Sequence, residues 1–211
     1  SGVSIIKYVG NGSSGHTIPH HLGVTPSFLI VKRLNSASTS WMVYHKDLGE
    51  TKNLILDGTN APADDDSIWN DVAPNATNFT CGSSTSTNGN DDTYICYAFV
   101  EKTGFCKINK FIGNGNNDGT FIYTGFAPTF VMTKNSSITD WWAMFDNKRL
   151  GYNSSDSPRS LHPNTTGNEG TSNLLNFYSN GFKCITSDAG GNGNGDTYIY
   201  MAFAESPFVN S

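Results

Sequence analysis

Apolar and polar residues alternate in short runs along the whole chain, and each run ends at Gly, Asn, Asp or Pro. Such runs read as β-strands, because successive strand side chains point to opposite faces and those four residues supply the backbone conformations that end a strand. In the first half of the chain, strands are expected near Ser4–Val9, His16–His20, Ser27–Lys32, Ser40–His45, Asn53–Asp57, Asn78–Cys81 and Thr93–Glu101. No window carries the sustained i, i+3, i+4 apolar spacing of a helix. Seven short strands in about 100 residues is the count of a β-sandwich. The run Thr93–Glu101 is apolar on both of its faces, Tyr94, Cys96, Ala98 and Val100 on one and Ile95, Tyr97 and Phe99 on the other. A strand with two apolar faces belongs in the centre of a covered sheet.

The same pattern then repeats. Lys7–Gly12 reads KYVGNG and Lys110–Gly115 reads KFIGNG. The segment His21–Lys32 lies beside Thr124–Lys134, Trp41–Tyr44 beside Trp142–Phe145, and Asn90–Glu101 beside Asn194–Glu205. Four landmarks in conserved order at a nearly constant offset indicate one unit copied in tandem. The fold expected is therefore all-β, with two tandem, internally duplicated sandwich lobes of about seven strands each, residues 1–104 and 105–211. No Pro- or Ser-rich linker separates them, so close packing of the halves is expected as well.

Composition narrows the class. Apolar residues make up 36% and charged residues 15%, against about 45–50% and about 25% in an average domain. The shortfall is filled by Gly, Asn, Ser and Thr, which are turn residues. A net charge of −5, without a Lys/Arg cluster, argues against nucleic acid as a partner. No apolar run reaches the roughly 18–20 residues needed to cross a bilayer, and no signal-peptide pattern opens the chain, so a membrane partner is not expected. Cys81, Cys96, Cys106 and Cys184 form no CxxC or zinc-finger spacing; free thiols are the preferred reading over a disulfide, since a core of this size does not depend on staples.

Candidate chemistry is sparse. His16, His20, His21, His45 and His162 form no HExxH pair, and His20 and His21 point to opposite faces of one strand end. His45 is matched by Asp146 in the second copy. There is no GxSxG elbow and no phosphate-binding loop in a strand-to-helix setting. The expectation is a non-enzyme with no cofactor and no metal. The run Asp64–Asp66 offers oxygen atoms to calcium, but it lacks the register of an EF-hand loop and reads first as a solvated loop. The Asn/Gly strings before each last strand, 88–92 and 190–196, read as structural turns. Among the aromatic residues Trp41, Tyr44, Trp69, Trp141 and Trp142, equivalent strand positions assign Trp41 and Trp142 to packing. Trp69 has no Trp counterpart and is the expected exposed contact. A recognition surface is expected where the copies differ most, at Gly58–Asp71 and Asp156–Asn168. In the first of these, Trp69, Asp64, Asp65 and Asn70 together could stack on a sugar ring and accept its hydroxyl hydrogens.

The string from His16 to Lys32, the following Trp41–His45 and the closing Gly195–Phe208 resemble a two-copy β domain of unknown function found in phage tail-fibre and appendage proteins, largely marine and environmental. The resemblance covers nearly the whole chain and carries no established catalytic or ligand residues. It implies a structural or receptor-binding module in a virion appendage that meets a host surface glycan or protein receptor and other appendage subunits. Because such fibres are commonly trimers, it also implies a possible homotrimer. The alternative is a lectin-like carbohydrate-binding module of an extracellular protein.

Overall fold

A computed structural model describes residues 2–149, 153, 160–170 and 174–207, and the chain divides into two compact units, Ser1–Glu101 and Lys102–Ser211. The first unit contains β1 (Val3–Val9), β2 (His16–Pro19), β3 (Phe28–Arg33), β4 (Met42–His45), β5 (Lys52–Ile55), β6 (Ala63–Asp64), α1 (Asp66–Trp69), β7 (Asn78–Cys81) and β8 (Thr93–Phe99). The second contains β9 (Cys106–Ile112), β10 (Phe121–Tyr123), β11 (Pro128–Asn135), β12 (Trp142–Asp146), β13 (Leu175–Tyr178), β14 (Gly181–Cys184) and β15 (Thr197–Ala204). The protein is all-β, and α1 is a single helical turn.

Each unit pairs a large antiparallel sheet with a small one. The first has the order β1-β8-β3-β4-β5-β6 against β2-β7, and the second β12-β11-β15-β9 against β10-β14-β13. The doubly apolar strands β8 and β15 sit inside their sheets, as their pattern requires. Alternation then sorts the side chains. Ile6, Tyr8, Leu29, Val31, Tyr44, Tyr94, Cys96 and Ala98 of the large sheet meet Ile18, Phe79 and Cys81 of the small one in one core. In the second unit Phe111, Val131, Phe145, Tyr198, Tyr200 and Ala202 meet Ile122, Phe177, Phe182 and Cys184. All four cysteines are free and buried.

The Asn/Gly turns act as a duplicated clasp. Asn88 is completely buried; its Nδ2 donates to Ser13 O and Gly82 O, both at 2.8 Å, and its Oδ1 accepts from Asn11 N at 2.9 Å. Asn192 repeats this, donating to Asn116 O and Thr186 O at 2.8 Å and accepting from Asn114 N at 3.0 Å. Beside each clasp a tyrosine hydroxyl accepts from the next glycine, Tyr94 from Gly89 N at 2.7 Å and Tyr198 from Gly193 N at 2.8 Å. The two tyrosine rings stack on Tyr8 and Phe111, respectively. The first glycine of each GNG turn lies so close to the clasp that a Cβ there would come within 3.0 Å of a backbone carbonyl oxygen, Gly89 O for Gly10 and Gly193 O for Gly113. The motif is therefore a close-packed joint, consistent with its reading as a structural turn.

The copies part company after β4 and β12. In the first unit β5 and β6 extend the large sheet, whereas in the second the matching edge shows, among the described residues, the bridges Met144↔Leu161 and Ser160↔Gly170. The small sheet of the second unit gains β13, at the place where the first unit has α1. The matching is fixed by one bond: the residue after the shared cysteine, Gly82 or Ile185, donates its N–H to Ile68 O or Leu174 O.

Candidate functional site

The sequence-predicted site does not form as expected. Trp69 is 2% exposed, at the end of α1, with its ring edge-on to Tyr44 at 6.2 Å. A buried indole cannot stack on a sugar, so the expectation of an exposed contact is corrected: the four-residue turn rolls Ile68 and Trp69 into the core. Two of the neighbours expected to act with it, Asp65 and Asn70, hold this turn in place. Asp65 is the N-cap, accepting from Ser67 N at 3.0 Å and Ser67 Oγ at 2.6 Å. Asn70 closes the turn in the left-handed conformation, φ 57°, its N–H bonded to Asp66 O. Asp64 is exposed and pairs with Lys52 Nζ at 3.0 Å. Among the described residues, no three His, Cys, Asp or Glu side chains converge as metal ligands.

The histidines take separate places. His20 is buried, with Nε2 2.9 Å from Asn75 O and Nδ1 accepting from Leu22 N. His16 Nδ1 donates to Asn88 Oδ1 at 2.8 Å. His45 is buried against the edge of Phe28, and its counterpart Asp146 binds Arg149. Trp142 is 1% exposed, in keeping with its assignment to packing. Trp41 is half-buried under the ammonium of Lys32.

A cleft opens instead in the second unit, with a volume of about 180 Å³. Its lining combines Trp141, Ala143, Ser160, His162 and Leu174 with Asp140 and Asp188. Trp141 is 55% exposed and leans over His162, their ring centres 5.1 Å apart. The imidazole is held from both sides. Its Nδ1 donates to Trp142 O at 2.7 Å, since a carbonyl can only accept, and its Nε2 lies 3.3 Å from the hydroxyl of Ser160. Ser160 is itself 1% exposed.

Strand register accounts for the difference between the copies at this place. Met42 pairs with Val31 and Ile55 in the first unit, and the equivalent positions in the second are Ala143, paired with Thr133, and His162. Leu174 replaces Ile68, by the shared bond to its carbonyl. In the first unit Met42, Ile55 and Ile68 all join the core, with Trp69 beside them. In the second, a methyl group and a polar ring leave that space unfilled, and the residue matching Ser40 is Trp141, which overhangs it. Two carboxylates also line it. Asp140 Oδ1 accepts from Trp141 N at 2.7 Å, and Asp188 Oδ1 from Gly190 N at 2.7 Å. Behind Asp140, burial lowers the pKa of Lys134 to about 8, although the carboxylate of Asp140 acts in the opposite direction.

The cleft, like the segment singled out in the sequence, falls where the two copies differ. Trp141 also lacks an aromatic counterpart, and His162 lies in the divergent segment 156–168, of which residues 156–159 lie outside those described. The doublet Trp141-Trp142 was the available signal: one ring must face inward and its neighbour outward. Nothing in the sequence marked Ser160 or Asp188.

No curated protein and no solved structure matches the chain. Residues 1–207 match a family described as a domain of unknown function, DUF7483. With nearly its full length covered by that match, the chain belongs to the DUF7483 family.

Proposed function

We propose that the chain is a non-enzymatic recognition module of a virion tail fibre or similar appendage, and that it docks a host-surface saccharide in the cleft beneath Trp141. One observation carries this reading: a duplicated framework keeps its clasps in both copies, yet the space filled by Met42, Ile55 and Ile68 in one copy is open, polar-rimmed and overhung by an exposed indole in the other. An exposed indole offers a flat apolar face for the C–H face of a sugar, and the rim supplies acceptors for its hydroxyls. The volume suits a single ring rather than a long oligosaccharide, being below the roughly 300–1,000 Å³ of drug-sized sites. Other appendage subunits, in a homotrimer, complete the proposed setting.

The hydrogen bond between Ser160 and His162 favours a second reading, a hydrolase in which the imidazole activates the hydroxyl. Two features weigh against it. Ser160 is almost wholly buried, and the nearby charges, Asp140 and Asp188, would oppose an oxyanion rather than stabilise it.

A glycan array probed with the protein and with Trp141→Ala tests the proposal. Binding is expected to fall at least about ten-fold, roughly 1.4 kcal/mol, while the melting temperature stays nearly unchanged because Trp141 is exposed. Binding indifferent to Trp141, or turnover of a bacterial polysaccharide that Ser160→Ala abolishes, overturns it. Antibody labelling of intact virions separates an appendage from a lectin-like extracellular module, and sedimentation tests the trimer.

A further inference from the structure

The asparagines at the centre of the two clasps, Asn88 and Asn192, are each followed by glycine. Packing dictates both choices. The asparagine amide has to donate to several oxygens at once, and a Cβ on the next residue would strike a carboxylate, Asp92 Oδ2 at 2.2 Å for Gly89 and Asp196 Oδ2 at 2.4 Å for Gly193. Those carboxylates are themselves held, by Arg33 and Asn135. Asn-Gly is also a chemically weak step: with no Cβ to hinder the approach, the glycine nitrogen can attack the side-chain carbonyl carbon of the asparagine before it. An N–Cγ bond forms, the Cγ–Nδ2 bond breaks and ammonia leaves with the proton of the glycine amide. Water then opens the succinimide to aspartate or isoaspartate.

We infer that Asn88 and Asn192 are guarded deamidation sites, kept intact in the folded protein by the hydroxyls of Tyr94 and Tyr198. Each hydroxyl donates to a backbone carbonyl, Thr85 O or Ala189 O. It thereby turns a lone pair to the glycine amide, accepting from Gly89 N at 2.7 Å and from Gly193 N at 2.8 Å. The attacking nitrogen is thus committed. The carbon it would attack is held as well: Nδ2 of Asn88 is shared among Asn11 Oδ1, Ser13 O and Gly82 O, and Nδ2 of Asn192 among Asn114 Oδ1, Asn116 O and Thr186 O. All four side chains are completely buried. Unfolding releases these bonds together. An aspartate formed there would set a carboxylate, which can only accept, against the same three acceptors. A chain that deamidates while unfolded therefore loses the means to close its clasp.

The test is peptide mapping of the intact protein kept warm at mildly alkaline pH, in buffer and in urea, reading the mass gained when an amide becomes an acid. Asn88 and Asn192 are expected to convert at least about ten-fold more slowly in buffer than in urea; equal rates overturn the inference. Tyr198→Phe should speed conversion at Asn192 in buffer by at least about ten-fold, with Asn88 in the other unit unchanged. The exposed Asn180, which also precedes a glycine in the second unit, separates loss of the guard from loss of the fold. If conversion at Asn192 rises only in step with that at Asn180, or if Asn192 stays intact in a folded Tyr198→Phe protein, the hydroxyl is not the guard and the inference falls. On removal of urea, refolded molecules should carry asparagine at both positions and Asn192→Asp should fail to refold; a native Asn192→Asp protein would show that the clasp closes without the amide and would overturn the refolding limit.

Discussion

Asn192 uses its whole side-chain amide within the protein, with Nδ2 shared among Asn114 Oδ1, Asn116 O and Thr186 O and Oδ1 held by Asn114 N. Replacing it by alanine removes these bonds from a fully buried position, each with a net value of about 0.5–1.5 kcal/mol. Asn192→Ala is therefore expected to lower unfolding stability by about 3 kcal/mol or more in urea titrations, and Asn88→Ala by a similar amount. Trp69→Ala should cost about 3–5 kcal/mol through the cavity it leaves, while the saccharide binding proposed for the other unit's cleft should stay unchanged. Lys134 adds a pH dependence. Burial lowers its pKa from 10.5 to about 8, so between those values the folded protein holds fewer protons than the unfolded chain. Its contribution therefore makes the fold more stable as pH rises from about 8 toward 10.5. Buried thiols act in the opposite sense: Cys81 and Cys184 are pushed up from 9.0 to about 12, which favours the unfolded, ionised state above pH 9. Comparing wild type with Lys134→Met isolates the lysine, and the variant should lose the upward component over that window.

At the scale of elements, the turn α1 and the strand β13 show how a few residues redirect one framework. Asp65 caps the turn, Asn70 ends it, and Ser84 N and Gly82 N tie it to the loop after β7. Asp65→Ala is expected to cost about 1 kcal/mol, the usual value of an N-cap, with no effect on saccharide binding; a loss of binding without a loss of stability would return Asp65 to a ligand role. Strands were legible from alternation, because a two-residue period needs only local sequence. The short turn was not, since four residues carry too little periodicity to separate a helical turn from a loop. Its burial depended on the volume beneath it, which is set by Tyr44 and Met42 from a different part of the chain.

Considered as a whole, the molecule keeps its four thiols inside, Cys81 and Cys96 in one unit and Cys106 and Cys184 in the other. A thiol reagent should therefore find no rapidly reacting cysteine in the native protein and four after denaturation; fast labelling of any one under native conditions would contradict the packing. The sequence by itself determined the β class, the duplication, the central place of the two doubly apolar strands and the structural nature of the Asn/Gly turns at 88–92 and 190–196. All of these follow from local periodicity and from one half of the chain serving as a template for the other. Tertiary structure alone decided which tryptophan faces out and which copy is open. The sequence could show that Trp69 and Trp141 both lack a partner in the other copy, but not that Met42, Ile55 and Ile68 fill one space while Ala143, His162 and Leu174 leave its equivalent empty. That difference is a sum of side-chain volumes from three separate segments brought together by the fold, and such a sum has no signature along the chain.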